Sequence, residues 1–490
     1  MMRLVYFIFI FCAFYVFSYA NPLVNLNVEE QEVYDNAISS YNSKKQNVTI
    51  RPFSGYKAVF LLGENLDRVE PYLNTFEYPM KYLKPLNSFT TKLYITNEEH
   101  SFIEGQAGLK LRKGVNLFLL EDGLLSLGKR FILYYQLRQN WNKEYAKFEF
   151  LRWYLKFKFW KLSLELGRDN AHLGPGEYGM LMSSNAYPFP MVKIQTEEPL
   201  KFLGKWDFSF IRGWLIEERK DVDNPDILAL RIVWKPKDWI EFGGTKTTLY
   251  GGSGRPGYSL LEYWDLITSS KDNLTGGKFD NDSFAHWDIS IYLPLNRWFK
   301  DVKIAKFYWL EGGSDITAFW QEEDKGDFRL PFGIKFHYWC YQIGLLLSTK
   351  KSIFRVEYTS TADRFFIHHI YNYENYTYKG LSLGYPYGRN IQSLFFKHRY
   401  YFNNSTSLEY KIGAFKQPGR DRDTVKYPVK MTRYYIQFLL NKKINHFILE
   451  GFFRLDKTDN YDKNPLPTKF DMTKEDKTFY ILGFSVSYRI

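Results

Sequence analysis

Apolar and polar side chains alternate with a period of two from about Phe102 to the end of the chain. The last segment shows the alternation without a break, with one row formed by Leu482, Phe484, Val486, Tyr488 and Ile490 and the other by Gly483, Ser485, Ser487 and Arg489. Because successive side chains of a strand point to opposite faces of a sheet, this pattern predicts strands with one apolar and one polar face. Most of the chain is therefore constrained to an all-β fold.

The polar rows of other segments carry charges. Examples are Arg231 between Leu230 and Ile232, Arg355 and Glu357 on either side of Val356, and Glu409 and Lys411 on either side of Tyr410. Charged positions suit the wet lumen of a transmembrane barrel whose apolar row faces lipid, whereas a soluble sandwich buries its apolar row. The alternation alone leaves a soluble β-sandwich or a propeller open, although no internal repeat supports a propeller.

The connections between predicted strands alternate between short and long. Short ones fall at 199–205, 235–237, 296–300, 349–352, 403–405 and 441–445, and long ones at 169–188, 250–282, 370–390 and 416–430. Outer-membrane barrels have short periplasmic turns and long extracellular loops. We therefore predict a transmembrane antiparallel up-and-down β-barrel of about 18 strands with both termini in the periplasm.

The amino-terminal region differs from the rest of the chain. Arg3, an apolar run over 4–17 and the small residues of Ser18-Tyr19-Ala20 predict a signal peptide over residues 1–20. Helical spacing around Val33 and near Tyr56 predicts a small helical region before the barrel. The expected organisation is a signal peptide at 1–20, a periplasmic helical segment at 21–100 and an outer-membrane barrel at 101–490.

Composition agrees with a large β unit of this kind. Aromatic residues make up 19% of the chain, and they are frequent in β-barrels. The net charge of +12 favours an anionic partner, such as acidic polysaccharide or the phosphates of lipopolysaccharide. Export and the absence of basic clusters lead us to expect no nucleic acid. Cys340 is the only cysteine beyond the predicted signal, so no internal disulfide is expected.

Two predicted extracellular loops carry recognisable motifs. The first contains Gly167-Arg168, then Gly174-Pro175-Gly176, then Leu181-x-Ser183-x-Asn185-Ala186-x-Pro188. The second contains Tyr376-x-Tyr378-x-Gly380 and Gly384-x-Pro386-x-Gly388. Together with Val33-Tyr34-Asp35 and the segment 51–54, they resemble the capsule-assembly family typified by Wzi. The chain departs from that pattern at Leu173, where a tryptophan usually precedes Gly-Pro-Gly.

This resemblance implies a monomeric outer-membrane barrel of about 18 strands with a small periplasmic helical bundle near its base. It also implies a lectin that helps to hold capsular polysaccharide at the cell surface. The partners expected from it are capsular or other surface polysaccharide, outer-membrane lipid with lipopolysaccharide, and polysaccharide export machinery. We expect no enzyme activity, no cofactor and no metal. An outer-membrane porin or solute channel is the alternative.

The side chains of the two motif loops include candidates for sugar contact, since aromatic rings stack on sugars and polar groups bind hydroxyls. The candidates are Arg168, Asp169, Asn170, Asn185, Tyr376, Tyr378, Tyr385, Tyr387 and Arg389. Gly167, Gly174, Pro175, Gly176, Ser183, Gly380, Gly384 and Gly388 are expected to shape the backbone. The same contact candidates could instead fold the loops over the mouth of the barrel.

An outer-membrane hydrolase is a third class to consider. Asp169, His172 and Ser183 or Ser184 lie within one loop, but no Gly-x-Ser-x-Gly motif accompanies them. The adjacent His368 and His369 would point to opposite faces of a strand, which predicts a poor metal pair.

Overall fold

The computed structural model describes most of the barrel and the segments inside it. The described residues are 25, 31–52, 54–62, 65, 67–68, 81–98, 101–127, 130–268, 277–317, 328–329, 335–371, 373–417, 431–459 and 476–489. The predicted signal peptide, residues 1–20, lies outside these ranges.

Eighteen long antiparallel strands close into a barrel, which confirms the predicted fold class. They are β1 (Lys81–Thr96), β2 (Gly114–Leu127), β3 (Phe131–Asn142), β4 (Ala146–Phe159), β5 (Leu162–Asp169), β6 (Phe189–Thr196), β7 (Lys205–Trp214), β8 (Asp226–Lys237), β9 (Ile240–Tyr250), β10 (Asp282–Leu293), β11 (Val302–Thr317), β12 (Lys335–Thr349), β13 (Ser352–Thr361), β14 (Ile391–Asn403), β15 (Thr406–Gln417), β16 (Met431–Ile444), β17 (Phe447–Asp459) and β18 (Lys477–Arg489). Each strand pairs with its sequence neighbours, and β1 pairs with β18 to close the ring.

The predicted assignment of faces is confirmed by burial along β18. Leu482 is 45% exposed and Phe484 is 53% exposed, whereas Ser485 between them and the end of the strand is 4% exposed. Exposed apolar side chains form the outer wall in the same way on other strands, for example Ile232 on β8 and Ile412 on β15. A band of this kind faces the lipid of a membrane.

The two ends of the barrel differ in the way the prediction requires. One end carries the short turns, and exposed aromatic residues lie there: Trp160, Phe202, Trp239, Trp298, Phe299 and Phe402. Aromatic side chains form girdles at membrane interfaces. The other end carries the long connections that include both motif loops, so it is the extracellular end of an outer-membrane barrel. Among the described residues, no helix is both long and apolar enough to cross a membrane.

The barrel begins earlier in the chain than the predicted boundary at residue 101. Lys81–Thr96 is a full barrel strand that pairs with both β2 and β18. Pro85 lies within it, at a register irregularity between Lys84 and Ser88. A proline and a bulge interrupt the regular period of two, which hides such a strand from pattern analysis.

Two short helices precede the barrel in sequence, where helical spacing predicts them. They are α1 (Gln31–Ser39) and α2 (Gly55–Leu62). They differ from the prediction in position, because α1 lies inside the barrel at the end with the short turns. Asp35 of α1 forms an ion pair with Lys397 of β14 at 3.0 Å, and the amide of Asn36 donates to the Tyr401 hydroxyl.

Charges inside the wall are matched by partners. Arg231 of β8 is fully buried and forms a bidentate pair with Asp288 of β10, at 2.7 and 3.0 Å. Its guanidinium also donates to Thr49 Oγ1, in the segment between α1 and α2. A buried charge is tolerated when it is paired and hydrogen-bonded. The charged polar rows seen in the sequence therefore hold the wall and the amino-terminal segment together.

Candidate functional site

The extracellular mouth is closed by two loops that pair with each other. We call residues 170–188, between β5 and β6, the plug loop, and residues 362–390, between β13 and β14, the lid loop. The backbone N–H of Ser183 donates to the carbonyl of Leu383 at 2.8 Å, and the N–H of Tyr385 donates to the carbonyl of Met180 at 2.9 Å. Each hydrogen bond joins one motif loop to the other, so the two motifs form a single closure.

The plug loop descends from this closure into the lumen. Its Glu177 binds Arg355 of β13 at 2.5 Å and Lys397 of β14 at 2.6 Å. Burial alone would raise the pKa of Glu177, but Lys397 and Arg355 outweigh that effect and hold the pKa well below its ordinary value. The carboxylate is thus an ionised anchor between the plug and the wall.

Deeper in the lumen the plug loop meets the amino-terminal segment. Residues Ile50–Arg51 and His172–Leu173 form a two-stranded antiparallel sheet, and the N–H of Gly174 donates to the carbonyl of Thr49 at 2.9 Å. Described residues therefore enter the lumen from both ends of the barrel and join inside it. This arrangement differs from the open bore that a diffusion porin needs.

The four tyrosines that were candidates for sugar contact are buried within the closure. Tyr376 donates to the carbonyl of Leu181 at 2.8 Å, and Tyr385 donates to Ser393 Oγ at 3.1 Å. The Tyr378 hydroxyl makes a longer contact, 3.4 Å, with the carbonyl of Ile216. These hydroxyls therefore tie the lid loop to other parts of the barrel, and sugar contact by the same rings stays a prediction.

Tyr387, the fourth tyrosine, donates to Glu104 Oε1 at 2.6 Å. Glu104 belongs to the connection between β1 and β2, and its other oxygen binds Arg454 of β17 at 2.5 Å. Burial alone would raise the pKa of Glu104, but Arg454 and Tyr387 lower it from 4.5 to about 2. The lid loop is therefore tied to a third loop and to the wall through one ionised carboxylate.

This carboxylate predicts a pH dependence of the closure. Since the folded-state pKa of Glu104 lies below its unfolded value, its contribution to stability is present above the unfolded pKa of 4.5 and is lost as the pH falls towards 2. We expect Glu104→Gln to be less stable than the wild type near neutral pH, and the difference to shrink on acidification through that window. Denaturant unfolding followed across the pH range measures it. A difference that stays constant with pH would contradict the assignment.

The remaining polar candidates also lie in the closure. Asp169 contacts Arg152 at 3.3 Å and Lys193 at 3.5 Å, and Arg152 in turn donates to Asn170 Oδ1 at 2.8 Å. The Asn185 side-chain amide donates to the carbonyl of Ser382 at 3.3 Å, and Arg389 Nη1 donates to the carbonyl of Asp363 at 3.0 Å. All nine candidates except Arg168 are buried.

Two of the motif residues expected to shape the backbone, Gly384 and Ser183, lie where the two loops meet. A Cβ on Gly384 would lie 2.2 Å from the carbonyl oxygen of Met180, so only glycine allows this contact. Gly174 has a φ of +138°, a conformation that favours glycine. Ser183 Oγ donates to the carbonyl of Gly384 at 2.6 Å. The others, Gly167, Pro175, Gly176, Gly380 and Gly388, belong to the plug loop, its entry or the lid loop.

The three groups considered for hydrolysis have separate partners. Ser183 bonds to the lid loop, Asp169 contacts Arg152 and Lys193, and His172 pairs with Arg51 in the small sheet inside the lumen. Burial and Arg51 lower the pKa of His172, which keeps its ring neutral. Within the described residues, no hydrogen-bonded Ser-His-Asp arrangement links them.

The interpretation of His368 and His369 as side chains that point to opposite faces is wrong. Both residues lie in the lid loop rather than on a strand, and their ring centroids are 4.3 Å apart. His368 Nε2 lies 3.3 Å from one carboxylate oxygen of Asp280, and His369 Nε2 lies 2.9 Å from the other. The loop backbone turns between the two residues, so the alternation of a strand does not apply.

A group of cations that the sequence analysis largely missed surrounds the closure on its outer side. We call Lys110, Lys147, Arg168 and Lys379 the basic rim; they come from the β1–β2 connection, the ends of β4 and β5, and the lid loop. Lys379 Nζ lies 4.4 Å from the centroid of the Tyr187 ring, and Lys147 Nζ lies 5.9 Å from it. Lys110 Nζ donates to the carbonyl of Lys379 at 2.5 Å.

The cations of the basic rim lie close enough to repel one another. Burial lowers the pKa of Lys379, and the charges of Arg168 and Lys147 lower it further. Three carboxylates offset part of the charge. Glu149 binds Lys147 at 2.9 Å, and Glu217 accepts from the N–H of Lys379 at 2.5 Å. Glu374 and Glu217 both attract Lys110 electrostatically. The four rim cations outnumber these three carboxylates, which leaves a positive surface. The signal in the sequence was the Tyr378-Lys379-Gly380 turn, in which the tyrosine was named as a contact candidate and the glycine as a backbone residue, but the lysine was not named.

The fold and the site together define a β-barrel of the outer-membrane type whose extracellular mouth is closed by its own loops beneath a basic surface. The sequence profile of the family described as "Capsule assembly protein Wzi" matches residues 94–445. The chain therefore belongs to the Wzi capsule assembly family. This confirms the resemblance recognised from the motifs.

Two individual relatives are similar to the chain. The structure of Wzi from Escherichia coli, described as an outer-membrane protein involved in group 1 capsule assembly and a carbohydrate-binding β-barrel, superposes with a TM-score of 0.64 at 16% identity, covering 95% of this chain and 100% of that one. An uncharacterised 55.8 kDa protein in the cps region of Klebsiella pneumoniae is 27% identical over 154 residues, which span 28% of this chain and 30% of that protein.

Proposed function

We propose that this barrel binds an acidic surface polysaccharide, such as capsule, at its basic rim and helps to hold it at the cell surface. The single observation that carries the proposal is the basic rim itself. Two of its cations, Lys147 and Lys379, approach the ring of Tyr187 at the end of the barrel that faces outwards. Eight of the nine original candidates are buried, which supports a division of labour: those eight keep the mouth closed, whereas Arg168 and the other rim cations meet the sugar.

The chemistry of the rim matches that of an acidic glycan. A guanidinium such as that of Arg168 donates two parallel hydrogen bonds to a carboxylate, and ammonium groups add charge-assisted bonds. Arg168 and Lys379 are half-buried, so they are held in place while still reaching solvent. A polysaccharide repeats its charge at each unit, and several weak contacts along one chain reinforce one another.

The descriptions of the relatives support carbohydrate binding and a role in capsule assembly. The Escherichia coli protein is described as carbohydrate-binding and as involved in capsule assembly, and the Klebsiella relative is encoded in a cps region. We extend the proposal to the other expected features: cleavage of the signal peptide, a monomer surrounded by outer-membrane lipid and lipopolysaccharide, and contact with export machinery at the periplasmic end.

The test measures binding of the producer's own surface polysaccharide to the purified barrel by calorimetry and by gel retardation. In the double variant Arg168→Ala/Lys379→Ala we expect affinity to fall by about 10-fold or more, since a hydrogen bond to a charged group contributes roughly 1.5–3 kcal/mol. Raising the salt concentration should weaken the wild type more than the double variant, because fewer charges remain to be screened.

The matched control is Lys351→Ala, an exposed lysine in a short turn at the opposite end of the barrel. It removes a positive charge without touching the rim, so the wild-type affinity should persist. The proposal fails if the polysaccharide binds neither protein, or if the control weakens binding as much as the double variant. Lipopolysaccharide added as a competitor separates recognition of its phosphates from recognition of the capsule.

A further inference from the structure

A compact group of three potential metal ligands joins two extracellular loops at a place that sugar binding does not use. Asp280 lies just before β10, in the connection from β9, and His368 and His369 lie in the lid loop. Their ligand atoms all lie within 4.8 Å of one another. The closest pairs are His369 Nε2 to Asp280 Oδ2 at 2.9 Å and His368 Nε2 to Asp280 Oδ1 at 3.3 Å.

Two imidazoles and a carboxylate form a set of ligands that suits zinc. Zinc binds imidazole nitrogen and carboxylate oxygen at about 2.0–2.2 Å in tetrahedral geometry, so ligand atoms around it lie roughly 3–3.5 Å apart. The two distances to Asp280 involve different carboxylate oxygens, and three ligand atoms lie within 4.8 Å, so a small movement of the side chains brings one atom from each residue to that spacing. Three protein ligands also leave a fourth position for water, as in other three-ligand zinc sites.

We infer that Asp280, His368 and His369 bind a divalent transition-metal ion of the zinc class, which clips the lid loop to the β9–β10 connection. The inference stands independently of polysaccharide binding, because none of these residues belongs to the basic rim.

The three side chains combine two buried ligands with one exposed ligand, as a metal site that ions can reach from solvent requires. Asp280 and His368 are buried, which positions their side chains, whereas the His369 side chain is 55% exposed and opens a path from solvent. Arg255 lies nearby, but its guanidinium donates to the backbone carbonyl of Asp280 at 2.7 Å. The carboxylate oxygens therefore face the two imidazoles.

Binding requires a change of tautomer in His368. The N–H of Ile370 lies 3.3 Å from His368 Nδ1, so the neutral ring carries its proton on Nε2, towards Asp280. When the metal takes Nε2, the proton belongs on Nδ1, and the amide of Ile370 must turn away. The change of tautomer breaks the long hydrogen bond from Ile370 N–H to His368 Nδ1. A bond from the metal to His368 Nε2 replaces the contact between that nitrogen and Asp280.

The test is titration of zinc chloride into the full-length barrel, purified in detergent without a histidine tag and stripped with chelator. Calorimetry should show about one zinc per barrel. His369→Ala should weaken binding by at least about 10-fold, since even residues that only orient ligands contribute 10–100-fold. Zinc should also slow proteolysis of the lid loop in the wild type and not in the variant.

His446→Ala is the matched control, because His446 is another exposed histidine, located in a turn at the opposite end of the barrel. It should bind zinc as the wild type does. Asp280→Asn gives a second variant that keeps the shape of the side chain and should also lose affinity. The inference is overturned if the wild type binds no zinc, or if His369→Ala binds it with unchanged affinity while remaining folded as a barrel.

Discussion

Replacing Glu177 by Gln is expected to lower the free energy of unfolding of the barrel by about 3–5 kcal/mol. The amide keeps the size of the carboxylate but removes the charge that Arg355 and Lys397 meet inside the lumen. Lys397 keeps its ion pair with Asp35, but Arg355 loses the carboxylate that it binds. A buried cation that loses its bound carboxylate is costly, because the protein interior solvates it far less well than water does. Denaturant unfolding of the detergent-solubilised protein, followed by the loss of its heat-resistant compact form in gel electrophoresis, measures the change.

The matched substitution is Glu450→Gln on β17. Glu450 also points inwards, but it is only partly buried and its near partner is the hydroxyl of Ser485 at 2.9 Å. The amide oxygen of Gln can still accept from Ser485, so the variant exchanges a charge-assisted hydrogen bond for a neutral one and should lose only about 1–1.5 kcal/mol. Equal stability of the two variants would show that Glu177 does not anchor the plug loop.

The same pair of variants distinguishes a closed barrel from a solute channel. Planar-bilayer recordings of the wild type should be silent, because the plug loop and the amino-terminal segment join inside the lumen. Loosening the anchor in Glu177→Gln should produce openings, whereas Glu450→Gln should stay silent. Steady conductance of the wild type would favour the porin alternative.

Introducing a charge on the lipid-facing surface has the second large expected effect. Phe484 lies in the middle of β18 and points outwards, so Phe484→Arg should cost about 2–4 kcal/mol if the strand crosses the bilayer as its neighbours do. The guanidinium would have to leave water for hydrocarbon. Folding yield into lipid vesicles and urea titration of the folded barrel measure the loss.

Ser485→Arg tests the opposite face at the adjacent position. The Ser485 side chain points into a lumen cavity that Glu450 also lines, so an arginine there meets a carboxylate instead of lipid. This variant should assemble nearly normally. If Ser485→Arg blocks assembly and Phe484→Arg does not, the lipid-facing and lumen-facing rows are reversed.

Much of the architecture was predictable because it depends on local rules. Alternation to the last residue predicted the outer row of β18, and the alternating loop lengths predicted which end carries the motif loops. The strand Lys81–Thr96 was missed because Pro85 and a bulge break the period of two. A local pattern cannot recover the pairing of this strand with β18, a partner at the other end of the chain.

The candidate site was less predictable, because residue type does not reveal burial. Tyr376 and Tyr385 have the chemistry of sugar ligands, but their hydroxyls reach Leu181 and Ser393 and their rings are fully buried. Lys379 was not predicted as a binding residue from the sequence, since a single lysine in a loop is common. Lys379 becomes part of a charged surface only because the fold places Lys147 of β4 and Arg168 of β5 close to it.

By itself, the sequence determined the strand pattern, the face that meets lipid, the family, and the two loops that carry the motifs. These follow from period, connection length and motif order, which are properties of neighbouring residues. The tertiary structure decided that the motif loops close the mouth, that α1 lies inside the barrel, and that His368 and His369 converge on Asp280. These depend on contacts between residues far apart in the chain, whose pairing energies no local pattern contains.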